Sequence, residues 1–503
     1  MPNDALTFGQ FVDREHELQR LSELLREGRP RLALVYGRRR VGKTFLLTHA
    51  WPVERAFYFT AAATTPEQNR RQLMRDLARW SGQELRPEDY STWRTVFRLL
   101  VEIRSPEPLA VVLDEFQYLG DDARALTEVT SELNAVWEER RAPRPLVFVL
   151  AGSIVRTLEA LDAGGAPLHG RFAWKTELRP FEYLEAARLA SFRALRDRAY
   201  AYAIFGGTPA FLAPIDPKRS LAANVSRLML ARDGEVRMLV ETALLQEQGL
   251  RDIPKYTAIL RAVAAGRTRL HDVAEATGLP FDTSLRDKIE RLVALGYLRA
   301  GRNLGATLKV PFHYTLADPA LRFYHRFVAP YEATLERNDP VSVWNTHIRP
   351  ELDSHMGYDF ERIVEQAYHR LRVKHQLPIV REWGRWEGRD RTRTPVEMDI
   401  ACTLADGRVL TGAVKWNRRP VGVEVHERHL AAIERLAASG VRWAHAAKER
   451  AAPLIYVAAG GFTRGLVSAA RNSRPTVALW TLEDLYRVGS TRTRRSGRQP
   501  TTR

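Results

Sequence analysis

LVYGRRRVGKTFLL, Leu34 to Leu47, is an apolar run that enters a loop of glycine and arginine and leaves it as a helix. Gly37 and Gly42 bracket Arg38, Arg39, Arg40 and Val41, and Lys43 and Thr44 follow. This is the spacing G-x-x-x-x-G-K-S/T, set between a strand and a helix. Glycines there let successive backbone N–H groups curl toward phosphate oxygens, and the next helix adds its positive N-terminal end. Gly37 to Thr44 are therefore expected to cradle a nucleoside triphosphate. Lys43 would neutralise the β- and γ-phosphates and the Thr44 hydroxyl would ligate Mg2+.

LAVVLDEFQYL, Leu109 to Leu119, supplies the second half of such a site. Its apolar run has the character of a strand buried on both faces of a parallel sheet. It ends in Asp114 and Glu115, where open α/β sheets place ligands. Asp114 is the expected partner for Mg2+, and Glu115 the expected base for an attacking water. Further strands are predicted over Leu32–Tyr36, Ala56–Thr60 and Leu146–Leu150, with helical patterns over Glu15–Arg26 and Glu67–Trp80. That alternation predicts a parallel sheet with helices on both faces. Ser153, after the fourth strand, either senses the γ-phosphate and water or caps a helix.

Downstream, PLHGRFAWKTELRPFEYLEAARL (Pro167–Leu189) holds Arg171 in a Gly-flanked loop. An arginine there either stabilises charge on the transferred phosphoryl group or is a solvated loop cation. Helices follow to about residue 253 and read as a helical lid, with FGGTPAFL (Phe205–Leu212) a tight turn within it. Residues 254–318 show three helical runs and two short extended pieces, Tyr297–Ala300 and His313–Leu316. That order fits a winged helix. Its third helix mixes Arg286, Lys288 and Arg291 with Asp287 and Glu290, so DNA insertion and domain packing both stand as readings.

In the C-terminal third, MGYDFERIVEQAYHRL is a helix bearing Glu361. REWGRWEGRDRTRTP reads as a loop, and VEMDIACTL and VLTGAVKW as a strand pair turned by Asp406-Gly407. Glu361 and Asp399 would hold Mg2+ through oxygen, with Lys415 positioned to act on a metal-activated water in phosphodiester attack. A solvated strand end is the alternative.

At 503 residues several domains are expected, and one cysteine, Cys402, excludes a disulfide framework and a Cys-rich zinc site. No apolar stretch is long enough to span a bilayer and no signal-peptide core precedes the first helix. A cytoplasmic protein is expected. The net charge is +17, with five arginines in the terminal Ser/Thr/Gly-rich segment that is expected to be disordered. That balance favours a nucleic-acid partner, DNA first, over an acidic membrane.

These blocks together resemble archaeal-type P-loop ATPases of the AAA/STAND-like branch that carry a C-terminal restriction-endonuclease-like domain. FVDREHELQRL, YGRRRVGKTFLL, LDEFQYL, AGS, PLHGRFAWKTELRPFEY, FGGTPAFL, HYTLADPALRFYHRFV, MGYDFERIVEQ and VKWNRRPVG carry the likeness. The resemblance implies an α/β fold: a P-loop core over 1–180, a helical lid over 181–253, a winged helix over 254–318 and linker helices over 319–350. A nuclease-like domain over 351–488 and a basic tail over 489–503 complete it. It implies ATP as the nucleotide and gives Arg171 a catalytic role, in cis or, through a homo-oligomer, in trans. One departure matters. Cleaving members carry Glu-x-Lys on the third strand, and here the tripeptide is Ala413-Val414-Lys415. Alanine cannot ligate a metal, so either Glu424 or Glu427 reaches in, or the domain holds one ion on two carboxylates, or it binds without cutting.

Overall fold

In the computed structural model Leu109–Asp114 is buried at all six positions and Leu146–Gly152 at all seven. Fully burying a Leu, Val or Phe side chain stabilises by roughly 1.5–3 kcal/mol, so these two strands anchor a rigid sheet. The described residues are 12–103, 109–139, 145–247, 250–306, 310, 312–449, 452–473 and 477–487. The expected tail, 489–503, lies outside them.

The first sheet contains β1 (Arg31–Tyr36), β2 (Ala56–Thr60), β3 (Leu109–Asp114), β4 (Leu146–Gly152) and β5 (Phe172–Glu177). Its order is β2-β3-β4-β1-β5 and every pairing is parallel. Alternate residues feed two cores: Leu32, Leu34, Val111 and Leu113 on one face, Ala33, Val35, Ala110 and Val112 on the other. Helices Pro66–Ser81 and Ala123–Glu138 pack on this sheet, each begun by a side-chain cap, Thr65 and Asp122. All strands being parallel, every strand end points to one edge, and that edge receives the phosphate loop, Glu115 and Ser153.

The chain divides into two compact units. One comprises the described residues of Met1–Ser191, Ile204–Ala300 and His313–Val343, the other those of Phe192–Ala203, Gly301–Phe312 and Trp344–Arg503. Residues 192–203 and 301–312, inside the expected lid and the expected three-helix module, thus group with the C-terminal unit. In the first unit, helices Ile253–Ala264, Leu270–Thr277 and Thr283–Ala294 precede β6 (Leu298–Gly301) and β7 (His313–Leu316), which pair.

In the second unit, helix Leu352–Leu371 buries Met356, Phe360, Ile363, Val364 and Ala367. The mixed sheet contains β8 (Val380–Glu382), β11 (Ile400–Leu404), β12 (Val409–Lys415), β13 (Leu454–Ala458) and β14 (Val477–Thr481), in the order β14-β13-β12-β11-β8. The stretch 381–395 is not a plain loop. It contains β9 (Trp386–Arg389), which pairs antiparallel with β10 (Pro395–Met398) as a separate two-stranded sheet. Nor is VEMDIACTL one strand. Asp399 interrupts it, because its carboxylate accepts the Val414 backbone N–H at 2.8 Å and takes a place a ladder carbonyl would fill. Among the described residues no helix is long and apolar enough to cross a membrane.

Candidate functional site

The phosphate loop is shaped by close approach. A Cβ on Gly37, at φ 151°, would lie 2.2 Å from the Leu178 carbonyl oxygen, because the Leu178 N–H bonds the Tyr36 carbonyl at 2.7 Å. Only glycine lets β1 turn beneath the segment that follows β5. The helix Lys43–His49 then begins at Gly42.

Lys43 is 5% exposed, and its Nζ donates to the carbonyls of Gly37 at 2.7 Å and Arg38 at 3.0 Å. Burial pulls its ammonium below the usual lysine range, against the opposing pull of Glu115 and Asp114. The Thr44 hydroxyl donates to Asp114 Oδ2 at 2.9 Å, and the Tyr58 hydroxyl donates to the same oxygen. Asp114 is 1% exposed, and its other oxygen accepts the Glu115 N–H at 2.9 Å. Thr44 and Asp114 thus offer two hard oxygens side by side below the phosphate loop, a donor set that fits Mg2+.

Glu115 sits at φ 52°, in the left-handed region, which turns its side chain off the end of β3. Its Oε2 accepts the Ser153 hydroxyl at 2.7 Å, the Ser153 N–H at 3.3 Å and the Gln117 amide. Ser153 is engaged with the acid rather than capping: the next helix, Val155–Ala160, has Ile154 at its cap and no side-chain cap bond. Gln117 was not singled out from the sequence. Its place two residues beyond Glu115, on a turn that folds back against Gly152, is its only sequence signal.

The loop arginines reach outward. Arg38 donates to the Gly296 carbonyl at 3.1 Å and lies 4.7 Å over the Tyr297 ring. Arg39 donates to the Tyr118 hydroxyl at 2.7 Å, and Arg40 to the Leu239 carbonyl at 2.5 Å. Gly42, Lys43, Thr44 and Glu115 line a cavity of about 890 Å³ together with Arg14, Phe181, Arg188 and Pro209. That is room for a nucleotide. The neighbouring Gly207 accounts for two sequence blocks occurring together: its added Cβ would lie 1.8 Å from the Phe181 carbonyl oxygen, and its own carbonyl accepts the Phe181 N–H at 2.7 Å.

Arg171 lies elsewhere. It precedes β5, which runs parallel to β1 with Phe172 beside Leu32, so it stands at the edge where strands begin. There it pairs with Glu138 at 2.9 Å and lines a different cavity with Arg29 and Arg31. Of the two roles left open for Arg171, cis or trans, strand direction sets it apart from the phosphate loop of its own chain.

The C-terminal unit gathers a second cluster. Glu361, mid-way along its helix, Glu397 at the end of β10 and Asp399 bring carboxylate oxygens within 4.8 Å of one another. Lys415, at the end of β12, donates to Asp399 at 2.8 Å. The third acid is Glu397, not Glu424 or Glu427; Glu424 instead accepts the Gly422 N–H at 3.2 Å. Arg385, also unforeseen, pairs with Glu397 at 2.6 Å, Glu387 at 3.3 Å and Glu361 at 3.8 Å. Burial lifts the Glu361 carboxyl to about 8, with Asp399 and Glu397 adding to the rise and Arg385 opposing it. The oxygens would suit a hard cation, but the cluster already holds the chain's own cations, so this site does not fit a resident metal while Arg385 is in place.

Comparison with known proteins places residues 11–215 in a match to a family model described as an ATPase domain predominantly from Archaea. The chain carries an ATPase-type domain. The matched residues take in the phosphate loop, Asp114, Glu115, Ser153 and Gly206–Pro209. Residues 324–430, with Glu361, Arg385, Glu397, Asp399 and Lys415, match a model described as archaeal and bacterial proteins of unknown function. An uncharacterized protein of Methanocaldococcus jannaschii is 22% identical over 412 residues, covering 81% of this chain and 87% of its own. Among solved structures, a Walker-type ATPase of Pyrococcus abyssi is similar at TM-score 0.45 and 20% identity, over 63% of this chain and 96% of its own. The ORC2 protein of Aeropyrum pernix is similar at TM-score 0.42 and 16% identity, over 65% of this chain and 95% of its own.

Proposed function

We propose that the N-terminal unit binds and hydrolyses ATP and that its nucleotide state governs nucleic-acid binding or cleavage by the C-terminal unit. Lys43 carries the first half of this reading. A buried ammonium held by two backbone carbonyls is costly, and an arriving phosphate would replace those carbonyls with an anion. Backbone N–H groups of Gly37 to Thr44 would hold the phosphates. Thr44 and Asp114 would hold Mg2+, which supplies charge neutralisation at the phosphates. Glu115 would accept the proton of the attacking water, and Ser153 and Gln117 would position its carboxylate. Arg171 enters this chemistry only if offered to the nucleotide of another copy, which requires a homo-oligomer. In the same reading the helices of 181–253 act as a lid and those of 254–318 as a winged helix.

Two observations favour a second reading, a nucleotide-gated scaffold with a silent nuclease-like domain. Ala413 stands where a carboxylate would be needed, and Arg385 and Lys415 already neutralise the acids present. Cleavage would require Arg385 to leave. One assay tests both: ATP hydrolysis by the full chain with and without DNA, in Mg2+ or Mn2+, scoring strand breaks in the same tube. Breaks lost in Lys415→Ala support cleavage. Hydrolysis without breaks supports the scaffold. No hydrolysis, with no heat on titrating magnesium-ATP, overturns both.

A further inference from the structure

The hairpin β9–β10 rises from the carboxylate cluster. Arg385 leads into it and Glu397 closes it, with Trp386 opposite Met398 at its root and Arg389 opposite Pro395 near its tip. The turn is built around Asp390, which is 7% exposed. Its Oδ1 accepts the Thr392 N–H at 2.9 Å, the Thr394 N–H at 2.9 Å and the Thr392 hydroxyl at 2.7 Å. Its Oδ2 accepts from Arg435 at 3.2 Å. The Arg391 N–H donates to the Ser439 hydroxyl at 2.7 Å, and Arg393 is held at φ 64°. The outer edge of β9 is pinned by Asn303, whose side chain exchanges hydrogen bonds with the Glu387 backbone at 2.6 and 3.1 Å.

Ordering a turn costs roughly 1–2 kcal/mol per residue in backbone entropy, and what this turn holds out is charge. Arg389, Arg391 and Arg393 are all exposed. Among the described residues none of the three forms an ion pair, because Arg435 takes Asp390, the turn's one acid. The root differs: Arg385 is matched there by Glu387 and Glu397. The hairpin is therefore acidic at the root, one arginine against two glutamates, and cationic at the tip.

We propose that this tip clamps the sugar–phosphate backbone of a nucleic acid, resting on the nucleic-acid half of the function given above. Guanidinium forks match phosphate oxygens two at a time. No large apolar residue between 385 and 398 is exposed, so the tip has nothing to insert into a bilayer or an apolar groove. Backbone contacts position a strand without reading its sequence. The hairpin's four-residue strands, about 13 Å long at 3.3 Å per residue, run from the clamp to Lys415 and Asp399.

The experiment is fluorescence anisotropy with a labelled random-sequence DNA duplex, over a series of salt concentrations, on the full chain. The variants are the triple Arg389→Gln, Arg391→Gln, Arg393→Gln and the matching triple lysine substitution. Each phosphate contact contributes about 0.9 to the slope of log K against log salt. The glutamine triple is expected to lower that slope by about 2 to 3 and to weaken low-salt binding more than tenfold. The lysine triple keeps the slope and loses part of the affinity. ATP hydrolysis without DNA, unchanged in both, reports that the protein is folded. Wild-type binding with an unaltered slope in the glutamine triple overturns the clamp alone. No DNA binding by the wild type overturns the clamp together with the nucleic-acid reading, and binding only to vesicles of anionic lipid does the same.

Discussion

The two sites differ in what their charges are waiting for. In the N-terminal unit a buried cation, Lys43, is held by carbonyl oxygens that a phosphate can replace. In the C-terminal unit three acids already have cations on them, Lys415 on Asp399 and Arg385 on Glu361 and Glu397. The first arrangement gains from an arriving anion. The second must lose a cation before it can gain another. A site's readiness is therefore visible in its counter-charges as well as in its donor set.

The largest expected effect sharpens the first half of that contrast. Glu115→Gln keeps the shape of the site and removes the base, so the hydrolysis rate should fall by about 10²–10³ with magnesium-ATP affinity retained. Single-turnover kinetics beside a binding titration would check it, and an unchanged rate would assign the water to another group. Lys43→Ala should act on binding instead, raising the Kd for ATP roughly 10- to 100-fold, as loss of a charged hydrogen-bonding partner does. Calorimetric titration measures it. Equal affinity in the variant would mean that Lys43 does not meet the phosphates.

How much of this was legible in the sequence follows from how each site is assembled. The phosphate loop is contiguous, and Asp114-Glu115 end one apolar strand, so local pattern suffices to place them. Glu397 and Arg385 belong to a hairpin that composition disguised as a loop. Arg, Gly and Asp are poor strand formers, and what holds the hairpin are distant side chains, Asn303, Arg435 and Ser439. The sheet edge of Arg171 was illegible for a different reason. Its position after the fourth strand says nothing of which sheet edge it occupies. The direction of the following strand does: in a parallel sheet, residues that precede a strand lie opposite those that follow one.

The second half of the contrast can be broken at Arg385. Replacing it with alanine leaves Glu361 and Glu397 without their shared cation. Mn2+ or Mg2+ should then bind the C-terminal cluster about tenfold more tightly than in the wild type, the order of one partly buried ion pair. Titration in an Asp114→Asn background, which lacks the carboxylate assigned to Mg2+ at the nucleotide site, isolates this cluster. Equal metal affinity with and without Arg385 would show that the guanidinium does not compete, and the two sites would no longer differ in kind.

The smallest effect separates the units by their response to acid. His325, in the N-terminal unit, is 8% exposed, and burial lowers its imidazole from 6.5 to about 4, with Arg261 adding to the fall. The folded state thus binds a proton less readily than the unfolded chain. Stability is complete above the unfolded pKa near 6.5 and declines as pH falls toward 4. Glu361, in the other unit, has the opposite sign: a carboxyl raised to about 8 favours the folded state while protonated, and that contribution is lost as pH rises from 4.5 to 8. Between pH 7 and pH 5.5, His325 should cost the N-terminal unit about 1 kcal/mol, while Glu361 alone would make the C-terminal unit more stable over the same interval. His325→Gln removes the titrating group, so its denaturant midpoint should change less over that interval than the wild-type midpoint does. If both midpoints fall together, the acid response belongs to other groups and the imidazole takes up its proton equally in the folded and unfolded chain.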